Sequence, residues 1–226
     1  MVNLLFDYDG TLHDSLQLYA PAFQTAYDRL TELGYAEPRR WSAGEVRQWI
    51  GLTPEDMWDR FMPDLPETEK RTSGALIGGR MLELIREGRA RLYPDVPEVL
   101  TALKQRGFRL LLLSNCPASY LEAHAECFRL DRYFRGLYCG EAFGYRPKYE
   151  ICRELQTRYD GLFLVIGDRR QDMEIARRNG LRAIGCLYGY GSPEELAEAD
   201  WLVGSPKELP TVLESVFPPD DGNETR

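Results

Sequence analysis

The chain has 226 residues and a formal net charge of −8, from 28 basic and 36 acidic residues. This balance argues against nucleic acid as a main partner, and no apolar stretch approaches the roughly 20 residues needed to span a bilayer. The five cysteines are irregularly spaced and form neither a disulfide framework nor a CxxC metal site. We expect a cytoplasmic protein with no membrane partner and no signal peptide, because the chain enters a predicted strand at once.

The first predicted strand, Val2–Phe6, is followed directly by the segment DYDGT at 7–11. Gly10 ends the strand and lets backbone N–H groups approach an anion, while Asp7 and Asp9 offer oxygen ligands to a hard cation such as Mg²⁺. A carboxylate can also act as a nucleophile that carries a phosphoryl group. An acidic turn is the simpler interpretation of these five residues taken alone, since Asp and Gly are common in turns.

Residues 14–89 show helical periodicity and no convincing strand, which predicts an inserted α-helical domain. Asp14 or Ser15 can cap its first helix, and Gly34 closes that helix. Further helices are predicted over 43–50, 54–61 and 66–86.

After residue 90, predicted strands alternate with helices, which is the pattern of a doubly wound, Rossmann-like parallel sheet. We therefore predict an α/β core domain made of 1–13 and 90–217, and a disordered tail at 218–226. Strands are predicted over 110–113, 162–166, 182–186 and 201–203, and helices over 97–106, 172–178 and 207–216.

Polar side chains follow the second and third of the predicted core strands. Ser114 and Asn115 follow the second strand, and Asp168 follows the third, with Asp172 four residues further on. Ligands of doubly wound sheets bind beyond the carboxyl ends of the strands, so the fold can gather these residues beside Asp7. A Ser after a strand is also a common helix cap, which is the simpler interpretation of Ser114.

Together these motifs resemble the haloacid dehalogenase superfamily of phosphatases, and the resemblance covers nearly the whole chain. The family's first motif, D-x-D-G-T, is matched at 7–11, its second, a Ser or Thr, by Ser114, and its fourth, G-D-x-x-x-D, at 167–172. Its third motif is a Lys, which Lys148 matches in a K-x-E-I variant. Arg146 is the alternative, although it cannot donate as a compact ammonium.

The resemblance implies a Mg²⁺-dependent phosphatase that hydrolyses a small phosphomonoester through an aspartyl phosphate. Asp7 would attack phosphorus, and Asp9 would protonate the leaving oxygen and then activate water. Mg²⁺ would be held by Asp7, the Asp9 backbone carbonyl and Asp168, while Asp172 would orient Lys148 or a water molecule on the metal. Ser114 and Lys148 complete the expected catalytic set. The residues expected to bind the phosphoryl oxygens are Gly10, Thr11, Ser114, Asn115 and Lys148.

In this family a helical insert after the first motif is a cap that closes over the active site and selects the substrate. Aromatic residues at helical spacing more often pack in a core than contact a ligand. Arg169 and Arg170 stand where the family usually has Thr or Ser, and we interpret them as solvated surface residues. The cap residues considered for the pocket are Trp41, Arg47, Trp49, Gly51 and Trp58.

Segments 92–97 and 187–196 resemble those of phosphoglycolate phosphatase-like members, although Gly and Pro would shape loops in any case. The expected partner is a small phosphorylated metabolite, and the expected state is a monomer or weak homodimer. The substrate stays open between phosphoglycolate, another small phosphomonoester, a nucleotide and a sugar phosphate.

Other activities of the superfamily remain alternatives. A phosphosugar mutase would use the same core residues. A non-catalytic binding protein is disfavoured, because unused clustered carboxylates would repel one another. Asp9 argues against a dehalogenase, and Lys70, the only lysine in 14–89, is the single candidate for the Schiff base that a phosphonate hydrolase needs.

Overall fold

Six parallel strands form a single sheet in this computed structural model, which describes residues 1–218. Their order across the sheet is β3-β2-β1-β4-β5-β6, which places β1 in the middle, between β2 and β4. The predicted doubly wound α/β fold is confirmed, although β3 was not predicted from the sequence. In chain order the strands are β1 (Val2–Phe6), β2 (Arg109–Ser114), β3 (Gly136–Cys139), β4 (Leu162–Gly167), β5 (Arg182–Cys186) and β6 (Trp201–Val203).

Helices cover both faces of the sheet. Because side chains alternate along a strand, Leu4 and Phe6 of β1 join one apolar cluster and Leu5 joins the other. The helices that cover the sheet are α5 (Val96–Gln105), α6 (Ala118–Phe128), α7 (Lys148–Arg158), α8 (Arg170–Asn179) and α9 (Leu209–Val216). The first cluster includes residues of α5, α6 and α9, and the second includes residues of α7 and α8.

Four helices lie between β1 and α5 in the chain, where the helical insert was predicted. They share an apolar cluster of their own, which includes Phe23, Trp58 and Ile77. The helix expected over 43–50 is shorter than predicted, because a 3₁₀ turn, Arg47–Trp49, follows it and the chain then bends at Gly51 (φ +87°). The four helices are α1 (Leu16–Glu32), α2 (Ala43–Val46), α3 (Pro54–Phe61) and α4 (Glu67–Arg86).

Strand pairing brings the carboxyl ends of β1, β2 and β4 level with one another. Phe6 pairs with Leu112 on one side and with Ile166 on the other. The polar residues that end or follow these strands therefore meet at one edge of the sheet. The expected tail at 218–226 falls almost wholly outside the described residues. No helix in the described part of the chain is long and apolar enough to cross a bilayer.

Candidate active site

Asp7 lies at the carboxyl edge of the central strand and is buried. Its backbone N–H donates to the Ile166 carbonyl at 2.8 Å, which continues the pairing of β1 with β4. Ser114 ends β2 on the other side, and Lys148 is the first residue of α7. The fold thus brings together Asp7, Ser114 and Lys148, three residues that are distant in the chain and that the sequence predicts to share one site.

Lys148 is enclosed between two carboxylates. Its Nζ donates to Asp7 Oδ1 and to Asp172 Oδ1, each at 2.8 Å, and all three side chains are buried. Burial alone would lower the pKa of Lys148, but the charges of Asp172 and Asp7 raise it above its ordinary value. Arg146 is exposed and pairs with Glu154 at 2.8 Å, away from this cluster. The contacts therefore favour Lys148 over Arg146 as the basic residue of the site.

Asp168 is fully buried and held by two donors. The Thr11 hydroxyl donates to Oδ1 at 2.8 Å, and the Tyr190 backbone N–H donates to Oδ2 at 2.7 Å. A Cβ on Gly10 or on Gly189 would collide with the Asp168 side chain, so both glycines permit the close approach of loops around it. The glycines of the 187–196 segment therefore do more than shape a loop, since one of them packs against a candidate metal ligand.

Three buried carboxylates, Asp7, Asp168 and Asp172, have oxygen atoms within 4.8 Å of one another. Burial, followed by the charge of Asp172, raises the pKa of Asp7 well above its ordinary value and that of Asp168 to about 7. A bound cation would relieve this repulsion, and an all-oxygen donor set fits a hard divalent metal. The carboxylate of Asp9 lies outside this group.

Asp9 instead faces a histidine and a tyrosine. Its Oδ1 accepts hydrogen bonds from Tyr120 OH at 2.8 Å and from His13 Nδ1 at 3.1 Å. Burial opposes ionisation, but the hydrogen bond and charge of His13, the charge of His124 and the Tyr120 hydroxyl together lower the pKa of Asp9. The carboxylate of Asp9 is therefore held in its ionised form.

A buried aromatic cluster lies behind Asp9. The Tyr8 hydroxyl is 2.8 Å from His124 Nδ1, and the rings of His13 and His124 meet edge to face with centroids 4.3 Å apart. Sequence reasoning missed His13, Tyr120 and His124 as neighbours of the site. The sequence did offer one indication that His13 lies near the site. The chain has only two histidines, and His13 stands two residues after the first motif.

Four of the five residues expected to bind phosphate, all except Lys148, divide into two groups. The Gly10 N–H donates to the His13 carbonyl at 2.9 Å and the Thr11 hydroxyl to Asp168, so these two groups are engaged within the protein. Ser114 and Asn115 border a cavity of about 160 Å³ that also reaches Asp7 and Asp9. Contact of any of these residues with phosphate stays a prediction.

The opposite wall of the cavity comes from α1, α3, α4 and the 49–54 segment. Of the cap residues considered for a pocket, Trp49, Gly51 and Trp58 border this cavity. Trp41 packs instead against other aromatic rings of the helices, and Arg47 donates to the Gly189 carbonyl at 3.0 Å. Trp58 is also 2% exposed and belongs to the apolar cluster of these helices.

Arg169 links the two walls. Its guanidinium donates to the Ile50 carbonyl and pairs with Glu195 at 3.0 Å, and the Asn115 amide donates to the Gly51 carbonyl at 3.3 Å. The expectation that Arg169 is solvated is wrong, because its side chain is buried and bonded to Ile50 and Glu195. Arg170, the next residue, is exposed as expected.

Comparison with known proteins assigns the family. Residues 4–186 match the family model described as haloacid dehalogenase-like hydrolase. The chain belongs to this family. The predicted resemblance is thereby confirmed over most of the chain.

Two curated relatives and one crystal structure agree with this assignment. A 5′-nucleotidase of Pseudomonas aeruginosa is 34% identical over 200 residues, covering 86% of each chain. A phosphoglycolate phosphatase of Synechococcus elongatus is 28% identical over 221 residues, covering 92% of this chain and 95% of the relative. The crystal structure of a predicted phosphoglycolate phosphatase from Haemophilus somnus shares the fold, with a TM-score of 0.78, 24% identity, and coverage of 93% of this chain and 96% of that one. The predicted enzyme class, a phosphoric monoester hydrolase of this family, is confirmed.

Proposed function

We propose that the protein is a Mg²⁺-dependent phosphatase that hydrolyses a small phosphomonoester through an aspartyl phosphate on Asp7. One observation carries the proposal: Asp7 and Asp9 border the same cavity, with Lys148 bound to Asp7 and two further carboxylates behind it. The proposed nucleophile, the proposed acid and base, and a compensating positive charge are thus adjacent. The helices α1–α4 form the wall opposite Asp7 and Asp9, and we propose that they act as the cap.

Asp7 is the proposed nucleophile, and its carboxylate would attack phosphorus in line with the departing alkoxide. A carboxylate and an anionic phosphate repel each other, so the reaction needs fixed positive charge at this point. The Lys148 ammonium supplies part of it, because it bonds directly to Asp7 Oδ1. Asp7 and Asp168, with the Asp9 backbone carbonyl, are the groups that would hold Mg²⁺, and the bound ion would screen the same repulsion.

Asp9 is the proposed acid and base. Within residues 1–218, its hydrogen bonds from Tyr120 and His13 both engage Oδ1, so Oδ2 is the oxygen left for proton exchange in the cavity. An approaching phosphate anion disfavours the charged form of Asp9, so substrate binding promotes its protonation. The proton would pass to the leaving oxygen, and the regenerated carboxylate would then take a proton from the attacking water.

The test is phosphate release from a panel of phosphate esters, with and without Mg²⁺, by the wild-type protein and the Asp7→Asn variant. We expect Mg²⁺-dependent release by the wild type and none by the variant, whose amide keeps the shape of Asp7 but is a poor nucleophile. The thermal unfolding curve of the variant serves as the control for folding. Release that is unchanged in the Asp7→Asn variant would overturn the proposal. A phosphorylated isomer in place of inorganic phosphate would indicate a mutase.

A further inference from the structure

The cavity beyond Asp7 is apolar on the side of the helices. Its wall there includes Trp49, Ile50, Met57, Trp58 and Ile77. The two carboxylates that border the cavity, Asp7 and Asp9, lie on the opposite side, at the edge of the sheet. A phosphate bound at that end would direct the leaving group of the substrate into the apolar half.

The cavity also lacks a cation for an anionic leaving group. Among the described residues that border it, there is no lysine, arginine or histidine. Cations on adjoining segments are engaged elsewhere: Arg169 pairs with Glu195, and Lys70 pairs with Asp59 at 2.6 Å. A carboxylate placed here would be buried without a partner, in a cavity that already contains two aspartates.

We infer that the leaving group of the substrate is uncharged and carries a compact apolar or aromatic ring that packs between Trp49, Trp58 and Ile77. This inference rests on the proposed phosphatase function. Aromatic rings bury large apolar areas and pack favourably against indole rings. The size agrees, because an engineered apolar cavity of about 150 Å³ holds a benzene molecule, and this one measures about 160 Å³. Phosphoglycolate, whose leaving group carries a carboxylate, fits this cavity poorly.

Two neighbouring glycines of α4 give a matched pair for testing the inference. Gly78 borders the cavity, and nothing lies within 4 Å of the position that its Cβ would take. Gly79 has the same open space but is exposed and does not border the cavity. A side chain added at Gly78 therefore has room to enter the cavity, whereas one added at Gly79 would lie on the exposed side of α4. Both substitutions change helix propensity alike.

The first measurement compares kcat/KM of the wild type for benzyl phosphate and phosphoglycolate, both esters of primary alcohols. We expect benzyl phosphate to be preferred by about tenfold or more, the scale of one well-packed apolar group. A third substrate, 5′-UMP, tests whether the ring of the leaving group can belong to a nucleoside. A rate equal to that of benzyl phosphate identifies a nucleoside as an acceptable leaving group, and a lower rate restricts the pocket to a compact ring; both outcomes support the inference.

The second measurement uses the glycine pair. We expect Gly78→Leu to lower kcat/KM for benzyl phosphate about tenfold or more while Gly79→Leu changes it little. We also expect Gly78→Arg, but not Gly79→Arg, to improve the use of phosphoglycolate relative to benzyl phosphate, because it supplies the missing cation. Equal effects at the two glycines would overturn the inference, as would a wild-type preference for phosphoglycolate.

Failure of the inference can be told apart from failure of the proposed function. Asp7-dependent hydrolysis that favours phosphoglycolate would overturn the leaving-group assignment and leave the phosphatase intact. If no ester is hydrolysed, the phosphatase proposal fails, and calorimetric binding of benzyl phosphate and phosphoglycolate to the Asp7→Asn variant still decides the chemistry of the cavity. Tighter binding of benzyl phosphate supports the inference, and tighter binding of phosphoglycolate contradicts it.

Discussion

At the scale of single residues, Lys148 differs from Arg146 in what surrounds it. Lys148 contacts Asp7 and Asp172 in the interior, whereas Arg146 pairs with Glu154 on the surface. We expect Lys148→Ala to lower kcat by about 10²-fold or more, the scale of a preorganised electrostatic group. Arg146→Ala should change kcat little. Steady-state kinetics of the two variants on any accepted ester provide the test, and a larger loss in Arg146→Ala would reverse the assignment.

Tyr120 provides a second test at this scale, because its hydroxyl donates to the proposed acid and base Asp9. Hydrogen bonds to charged groups contribute about 1.5–3 kcal/mol, so Tyr120→Phe should lower kcat on an alkyl phosphate about tenfold or more. With p-nitrophenyl phosphate the leaving group needs no proton, so formation of the phosphoenzyme should stay fast. Its breakdown should not slow either, because loss of this hydrogen bond raises the pKa of Asp9 and makes it a stronger base. Rapid-mixing measurement of p-nitrophenol release separates these two steps.

Tyr8→Phe is the matched control for that experiment. It also removes a buried hydroxyl, but one that contacts His124 and not Asp9. We expect a lower free energy of unfolding with kcat preserved. If Tyr120→Phe slows both steps of the p-nitrophenyl reaction equally, the role assigned to its hydroxyl is wrong.

The candidate site residues that the sequence could identify belong to short motifs placed at the end of a strand or the start of a helix. Asp7, Asp168 and Lys148 come at strand ends or a helix start, and a parallel sheet brings such positions together. Tyr120 and Tyr190 could not be identified in this way. Each reaches the site through a contact more than twenty residues distant in the chain, with Asp9 and Asp168 respectively, and local patterns do not encode such contacts.

At the scale of elements, Arg169 connects the loop between β4 and α8 to the 49–54 segment, which borders the cavity. Its guanidinium bonds to the Ile50 carbonyl at the end of the 3₁₀ turn that follows α2. We expect Arg169→Ala to loosen that segment and to raise KM about tenfold, consistent with the loss of a charge-assisted hydrogen bond. Steady-state kinetics on an accepted ester measure the change.

Arg170→Ala controls for the loss of one positive charge near the site. Arg170 is exposed, so its removal should leave KM close to the wild-type value. A similar rise in KM in both variants would show that net charge, and not the contact with Ile50, is responsible.

The elements that were predicted well are those with strong apolar patterns. The strands β1, β2 and β4 are buried on both faces and are rich in apolar residues, with four or more in succession in β2 and β4. The strand β3 is four residues long, lies at the edge of the sheet and is mostly half-buried, so it has no such run. The early end of α2 was missed because the 3₁₀ turn that follows it contacts Arg169, a residue distant in the chain, and local patterns do not encode such a contact.

At the scale of the whole molecule, pH and metal should act together on stability. Burial and Asp172 raise the pKa of Asp168 to about 7 in the metal-free protein, from 3.8 in its ordinary environment. The stability gained from protonated Asp168 is fully present below pH 3.8 and is lost as the pH rises through 7. Mg²⁺ needs ionised carboxylates, so its apparent affinity should increase over the same range.

We therefore expect Mg²⁺ to raise Tm more at pH 8 than at pH 6. At 100 times its dissociation constant a ligand adds about 2.7 kcal/mol, which for a chain of this size is roughly 5–10 °C. Thermal unfolding with and without Mg²⁺ at the two pH values measures the effect. Asp168→Asn should remove most of it. An increase in Tm that does not depend on pH would contradict the role given to Asp168.

The central position of β1 has a consequence for how the protein is made. β1 is synthesised before the other strands, yet its two neighbours in the sheet, β2 and β4, leave the ribosome more than 100 residues later. Pairing between distant segments is slow, and unpaired strand edges favour aggregation in the meantime. The helices α1–α4 emerge next and can pack with one another before the sheet exists. Until Tyr190 has emerged, the nascent chain carries Asp7 without the loop that holds Asp168, so the proposed active site is completed only after that residue has been synthesised.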